Sequence, residues 1–469
     1  MRIKINNIPF ESNEKMTVLE AAGFMGIKIP TLCYLKNLAP NTSCMVCMVK
    51  DKQNDRFVPS CSTLIYNGMD IDSESNEVMN VRKTALEFLL SEHVGDCSGP
   101  CESACRFNLN IPEVFNAIEQ GQIQKAITLL RKDLGLPFLV NDFCSGYCEN
   151  ACRRKRVDKA VGIKHIIHEF LINNTIKDYG EKKNKEFSVL ITATGIKAIA
   201  LASFLDVNGF SVSLLGFEND IIQQDMDFLK RTEIIFLEKL PDINKMYEKY
   251  NALVTDTDKG INQIKTFVME NDHLSKTKKF VLQDVREAKE LAQKVIQHFY
   301  NKQVYDYSYR FVSKTGYLDK DEINVYLDRQ KSIPQNDRNQ VYEEIQKCLK
   351  CNCDGFDKCR LRQYAAEYGA NRKTYKAADR QKVNIVIDSL SQKIKTEKKQ
   401  ISHDHGKCIK CGICVQITRK NKENIGLSFF NRGIYTQIGV PFGKTLSQGL
   451  ENSMDECLDC CPTGALKVE

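Results

Sequence analysis

Apolar and polar positions alternate through "RIKINNIPF" near the start of the chain, which predicts a β-hairpin. "TVLEAAGFMG" then changes to a helical period, and Thr17 with Glu20 three residues on forms a capping-box signature at its start. "NVRKTALEFLLSEHVGDC" continues as a helix, and "IPEVFNAIEQGQIQKAITLLRKDLGLP" reads as further helices closed by Gly and Pro. From Phe187 the pattern is a βαβ start: an apolar strand, a tight turn, an Ala-rich helix and a second strand. "NALVTDT" predicts a later strand, and "KKFVLQDVREAKELAQKVIQHF" a strand followed by a helix. Residues 376–400 are polar with one short apolar strand, and read as a linker with a hairpin arm.

Composition narrows the class. Of 469 residues, 42% are hydrophobic and 27% charged, as in a globular protein. No apolar run reaches the roughly 20 residues that span a bilayer. The start, "MRIKINNIPFESNEK", has no apolar signal core, so the cytoplasm is the expected compartment. The net charge of +7 is spread along the chain, and its densest basic stretch, "CRRKRVDK", lacks interleaved aromatics. A nucleic-acid partner is therefore not expected.

Twenty cysteines change the picture. In a chain read as cytoplasmic, such a number points to thiolate ligands rather than disulfides. Cys33, Cys44, Cys47 and Cys61 give C-x10-C-x2-C-x13-C, with four thiolates on irregular backbone around a small sheet, which suits a 2Fe-2S cluster. Two triplets follow: Cys97, Cys101 and Cys105, then Cys144, Cys148 and Cys152. Cys348, Cys351, Cys353 and Cys359 form C-x2-C-x-C-x5-C, a set able to hold either tetrahedral zinc or a 4Fe-4S cluster. Cys408, Cys411 and Cys414 begin a bacterial ferredoxin run, but Thr418 stands where its next cysteine belongs. In two-cluster ferredoxins the Cys-Pro cysteine completes the other run, so Cys461 before Pro462 is expected to make one 4Fe-4S site with those three. Cys457 and Cys460 are left as packing or surface thiols, because Glu451 and Met454 replace the cysteines of a second site.

The four-cysteine head and the helix after it resemble the iron-sulfur large subunit of respiratory complex I and iron-only hydrogenases. There an H-x3-C opens a 4Fe-4S site held by one histidine and three cysteines, which implies ligand roles for His93 and Cys97. The pattern then departs to Cys97-x3-Cys101-x3-Cys105. "CSGPCESACRFNLNIP" and "DFCSGYCENACRRKRVDKAVGIKHIIHEF" are similar to the helical domain of the glutamate synthase small subunit and dihydropyrimidine dehydrogenase, where two such segments share two 4Fe-4S clusters. Carried over, one cluster would take His93, Cys97, Cys101 and Cys152. The other would take Cys105, Cys144, Cys148 and a non-cysteine ligand; Ile167 stands nearest the family's position, leaving His168 or His165 as candidates. A local cluster on His93, Cys97, Cys101 and Cys105 is the rival grouping.

In that second family an FAD-binding domain follows, and the βαβ start is in its place. Thr192, Thr194 and Lys197, however, occupy the glycine positions of G-x-G-x-x-G, where side chains crowd the approach of a pyrophosphate. Gly195 remains, Glu218 stands where a ribose-binding acid would, and Asp284 matches a flavin-contacting position. The expectation is a flavin-type scaffold without FAD. The alternative has Lys197 pairing a phosphate of a retained FAD.

The chain is thus expected to be a multidomain α+β and α/β protein: a 2Fe-2S ferredoxin-like β-grasp (1–75), a helical domain with two 4Fe-4S clusters (76–180), a degenerate FAD/Rossmann-like domain (185–300), a four-cysteine metal or cluster knot with helices (301–375), a linker (376–400) and a ferredoxin-like 4Fe-4S domain (401–469). One 2Fe-2S and three or four 4Fe-4S clusters are expected, the count turning on zinc or iron at Cys348, Cys351, Cys353 and Cys359. With no nucleophile motif or proton-handling cleft, no catalytic residue is assigned. The chain resembles electron-transfer subunits that accompany molybdopterin enzymes such as formate dehydrogenases, or multisubunit hydrogenases. This implies a catalytic partner subunit and a second redox protein, in the cytoplasm or on the cytoplasmic face of a membrane complex. Two other readings stay open: an FAD-dependent NAD(P)H oxidoreductase feeding its own clusters, and a structural or assembly subunit.

Overall fold

Asn6 and Asn7 both take positive φ, 51° and 67°, and so turn strand Arg2–Ile5 back into Ile8–Glu11. This is the backbone that a two-residue hairpin requires and that asparagine tolerates. Asp70–Asp72 adds in parallel to Arg2–Ile5, and Met48–Asp51 and Arg56–Pro59 complete a five-stranded mixed sheet. Helix Val18–Phe24 lies on it, its Thr17 and Glu20 exchanging both capping-box hydrogen bonds, with Val18, Ala21 and Ala22 buried. In this computed structural model the described residues are 1–174, 185–215, 223–242, 246, 248–255, 265–269, 278–300, 311–331, 340–353, 355–356, 358–375, 382–389 and 400–468.

Contacts divide the chain into two units, each assembled from separated stretches. The first comprises Met1–Ser98, Tyr309–Arg329 and Asn352–Glu469. Within it, helix Asn76–Glu92 is tied to the sheet by Arg82, whose Nε donates to the Met48 carbonyl at 2.9 Å and whose Nη1 donates to the Tyr368 hydroxyl at 3.2 Å. Strands Ile385–Ser389, Gln400–Asp404 and Leu466–Val468 form an antiparallel sheet. The short strand expected within 376–400 is Ile385–Ser389, paired antiparallel with Gln400–Asp404. One core joins Leu32, Cys33 and Cys44 to Leu86, Leu361, Ile413, Ile417 and Leu466, so the head and the C-terminal segment share buried surface.

The second unit comprises Gly99–Ser308 and Gln330–Cys351. Its strands run parallel in the order Lys265–Val268, Ala252–Thr255, Phe187–Ile191, Phe210–Leu215, Ile235–Leu237, a doubly wound arrangement starting from the central strand. Helices Ile111–Glu119, Ile123–Leu134, Pro137–Phe143 and Ile163–Asn174 pack into the same core. Gly135, at φ 68°, ends the second of these, and a Cβ there would meet the Phe204 ring at 2.6 Å. Beside that approach Arg131 pairs with Asp206 at 2.7 Å, both side chains buried. The strand expected at the start of "KKFVLQDVREAKELAQKVIQHF" is instead the first part of a continuous helix, Lys278–Tyr300. Val281, Val285, Ala288, Ala292 and Val295 are buried at helical spacing, and that period overrides the short apolar run. Among the described residues no helix is long and apolar enough to cross a bilayer.

Candidate metal centres

The four cysteines of the head are buried and stand as two close pairs. The Cys44 thiol hydrogen-bonds Cys33 and pulls it down to about 5, while Cys44 itself is pushed far up by the same bond. Cys61 does the same to Cys47, lowered to about 7. The four sulfurs thus stand two and two. Two irons each bound by two thiolates need this arrangement, whereas a single tetrahedral ion needs all four donors about one point. Among the described residues no three His, Cys, Asp or Glu side chains converge tightly enough to hold a single metal ion.

At the C-terminus Cys408, Cys411, Cys414 and Cys461 line one cavity of about 480 Å³, open mouth included, with His403 and Cys457 on its wall. Lys410 takes a left-handed φ of 56° and points its N–H at the Cys408 sulfur, 3.4 Å away. Burial first, and then the charges of Cys411, Cys408, Cys457 and Cys461, push the Cys414 thiol well above its usual range. Such a set ionises together only around a cationic core. Cys457, expected as a spare thiol, is buried and directs its Sγ to the Cys414 carbonyl at 3.8 Å. The head reaches this site directly: Asn41 Nδ2 donates to the Cys411 carbonyl at 2.8 Å, and Cys33 bears on the Cys411 thiol.

Also in the first unit, Cys97 faces Cys353 and Cys359. Cys353 N donates to the Cys97 carbonyl at 3.1 Å, and Ser313 N donates to the Cys97 sulfur at 3.2 Å. Burial, joined by the charges of Cys353 and Cys359, pushes Cys97 up to about 12. His93 is buried and held down to about 4 by desolvation, with the Lys407 cation adding, and its Nδ1 has no hydrogen-bond partner. A neutral imidazole with a free nitrogen is the state a metal ligand needs. Arg360 N, next to Cys359, donates to the Pro462 carbonyl at 3.0 Å, so this group adjoins Cys461 of the C-terminal site.

In the second unit Cys101 faces Cys348, Cys351 and Cys152, whose charges add to burial in raising its thiol well above the usual range. Cys348 is pushed up to about 11, chiefly by burial, against an opposing hydrogen bond from Lys350 N–H. Lys350 has φ 46°, so "CLKC" turns as "CIKC" does at Cys408–Cys411. The grouping expected from sequence is therefore divided differently here. Cys97 and Cys101 face different partners, and so do the first and second halves of the 348–359 run.

Cys105 and Cys144 both bear on Cys148, which burial pushes up to about 12, and Gly146 N donates to the Cys144 sulfur at 3.4 Å. Glu149 is the next charge on Cys148, and its Oε1 accepts from Lys164 N at 2.8 Å. His168, the expected fourth ligand, is partly exposed with Nδ1 3.9 Å from Asp142, while His165 lies beside Gly162 and bears on Glu344.

At the flavin-like turn Gly195 keeps a left-handed φ of 97° and precedes helix Ile196–Val207. Thr194 is exposed, and Thr192 is drawn to the neighbouring strand, its Oγ1 donating to the Val254 carbonyl at 3.3 Å. Lys197 is buried with its Nζ 2.6 Å from Glu287, so an internal ion pair engages the amine that the alternative reading gave to a phosphate. Asp284 falls within the long helix. Glu218 lies outside the described residues.

Two stretches of the chain match known domain families. Residues 1–76 match the 2Fe-2S iron-sulfur cluster binding domain, and residues 80–179 match dihydropyrimidine dehydrogenase domain II, a 4Fe-4S cluster domain. The chain therefore carries iron-sulfur domains of both kinds. The NADPH-Fe(3+) oxidoreductase subunit alpha of Geobacter sulfurreducens is 34% identical over 99 residues, 20% of this chain and 12% of that protein. The NADP-reducing hydrogenase subunit HndD of Solidesulfovibrio fructosivorans is 42% identical over 99 residues, 19% of this chain and 17% of its own. A putative formate dehydrogenase of Bacillus subtilis, YrhE, is 24% identical over 247 residues, 49% of this chain and 24% of its own. This chain thus spans only a small part of the curated relatives it matches.

Proposed function

We propose that this protein is an iron-sulfur electron-transfer subunit of a multisubunit oxidoreductase. The observation that carries the reading is the succession of three thiol-lined sites within the first unit: Asn41 of the head bonds to Cys411, and Arg360 beside Cys359 bonds to Pro462 beside Cys461. Clusters bound there would supply one-electron chemistry. The chain's own residues bury the thiols and aim backbone N–H groups of Ser313 and Lys410 at their sulfurs. Such bonds favour the more negative, reduced state and so raise a potential. Division of Cys348, Cys351, Cys353 and Cys359 between two neighbourhoods favours clusters over one zinc ion. The Lys197–Glu287 pair favours a nucleotide-type domain kept as scaffold without FAD.

The names of the relatives support a catalytic partner subunit of hydrogenase or formate dehydrogenase type, together with a second redox protein as donor or acceptor. Free thiols at this density suit the reducing cytoplasm. The test is the iron, acid-labile sulfide and flavin content of the anaerobically purified chain, followed by reductive titration with EPR detection. Several distinct one-electron signals without flavin are expected. Absence of labile sulfide refutes the reading, and stoichiometric FAD replaces it with the flavoenzyme alternative.

A further inference from the structure

The run "CLKCNCDGFDKC" lies beyond both matched domains, at residues 348–359, and the chain passes from one unit to the other between Cys351 and Asn352. We infer that this run is a shared ligand segment: Cys348 and Cys351 complete a four-iron site with Cys101 and Cys152, and Cys353 and Cys359 complete a second with Cys97 and His93. The inference rests on the iron-sulfur reading above and deepens it.

The first pair is seated by three separate bonds within the second unit. Glu344 Oε1 accepts from Gly162 N at 2.9 Å, Arg154 Nη1 donates to the Lys347 carbonyl at 3.2 Å, and Lys350 Nζ meets Glu119 at 3.0 Å. Arg154 and Gly162 flank the loop that follows Cys152, so these bonds bring the two cysteine segments together. Cys101, Cys152 and Cys348 pack against one core. The turn at Lys350 repeats the left-handed lysine of Cys408–Cys411, the run with the ferredoxin spacing.

The second pair is seated within the first unit by the Cys353 to Cys97 backbone bond and the Arg360 to Pro462 bond. Gly464 leaves room for the Cys353 sulfur, which a Cβ there would meet at 2.4 Å. The partnerless, buried Nδ1 of His93 adds a nitrogen donor. On binding, each thiol releases its proton to solvent as its sulfur bonds iron, and the neutral imidazole gives a lone pair; no oxidation state changes. The His93 set carries one negative charge fewer than the all-thiolate set, which makes its centre easier to reduce.

The test uses the full chain, purified anaerobically, with iron and sulfide analysis, EPR and mass-spectrometric mapping of cysteines alkylated under native conditions. Cys348→Ser is expected to lose about four irons and to expose Cys101, Cys152 and Cys351 to alkylation, leaving Cys97, Cys353 and Cys359 protected. Cys353→Ser gives the converse. His93→Cys moves to lower potential only the signal that Cys353→Ser removes. If Cys348→Ser does not accumulate, Cys101→Ser asks the same question from the other side and should expose Cys348 and Cys351 but not Cys353. Exposure of every remaining cysteine of the run by one substitution overturns the sharing while leaving the electron-transfer reading intact. A wild-type chain without labile sulfide overturns both.

Discussion

Gly464→Ala is the sharpest small perturbation available. Gly464 does not take a left-handed backbone, so alanine there meets no φ penalty and its effect is the added methyl alone. That methyl carbon would lie 2.4 Å from the Cys353 sulfur and 3.2 Å from the Gly355 Cα. Non-bonded heavy atoms rest about 3.5–4 Å apart, so the sulfur has to retreat by about 1 Å or more. Metal-ligand distances tolerate only about 0.2 Å, so the retreat takes Cys353 out of ligand range. Overpacking alone costs about 1–3 kcal/mol, which leaves the unit folded while the site empties. Iron should fall by about four per chain, with the 2Fe-2S signal retained and Cys353 newly open to alkylation. Gly23→Ala, where a Cβ meets nothing within 4 Å on a helix, is the matched control and should be neutral or slightly stabilising. Full iron content in Gly464→Ala, with the Cys97-dependent signal unchanged, would refute the placement of Cys353 against Gly464.

Two further outcomes concern the scaffold. Arg131→Met leaves buried Asp206 with Lys185 as its remaining partner at 2.7 Å, so the loss should be about 3 kcal/mol or somewhat less, measured as a lowered urea midpoint for the second unit. Asp225 is fully buried, and desolvation raises it to about 7 against the pull of its bonds from Phe138 N and Leu139 N. The folded state therefore holds a proton that the unfolded chain has already released above the ordinary carboxylate range. Stability should fall as pH rises toward 7 and level off above it, with a slope no steeper than about 1.4 kcal/mol per pH unit. Urea midpoints between pH 5.5 and 7.5 should show this slope in the native chain and lose it in Asp225→Asn.

What the sequence determined by itself was local or carried by short spacing. Asn6 and Asn7 turn a hairpin, Thr17 and Glu20 cap a helix, and Phe187 opens a βαβ unit, because each depends on backbone preferences within a few residues. The thiols of Cys33, Cys44, Cys47 and Cys61 could likewise be grouped from their spacing, and Cys461 was joined to the Cys408 run through its likeness to the Cys-Pro of two-cluster ferredoxins. Tertiary structure alone decided the rest. Phe280, Val281 and Leu282 pattern equally as strand and as helix, and the surface packed against them chose the helix. Lys197 could meet a phosphate or a carboxylate, and only the return of Glu287 on a distant helix gives it the carboxylate. Cys457 lines a cavity because its helix packs against the one that carries Cys414. Cys351 and Cys353 are separated in sequence by one residue, yet face partners some two hundred and fifty residues upstream in different units. Spacing tells which thiols are close along the chain, whereas a cluster selects thiols that are close in space, and long-range folding sets that distance.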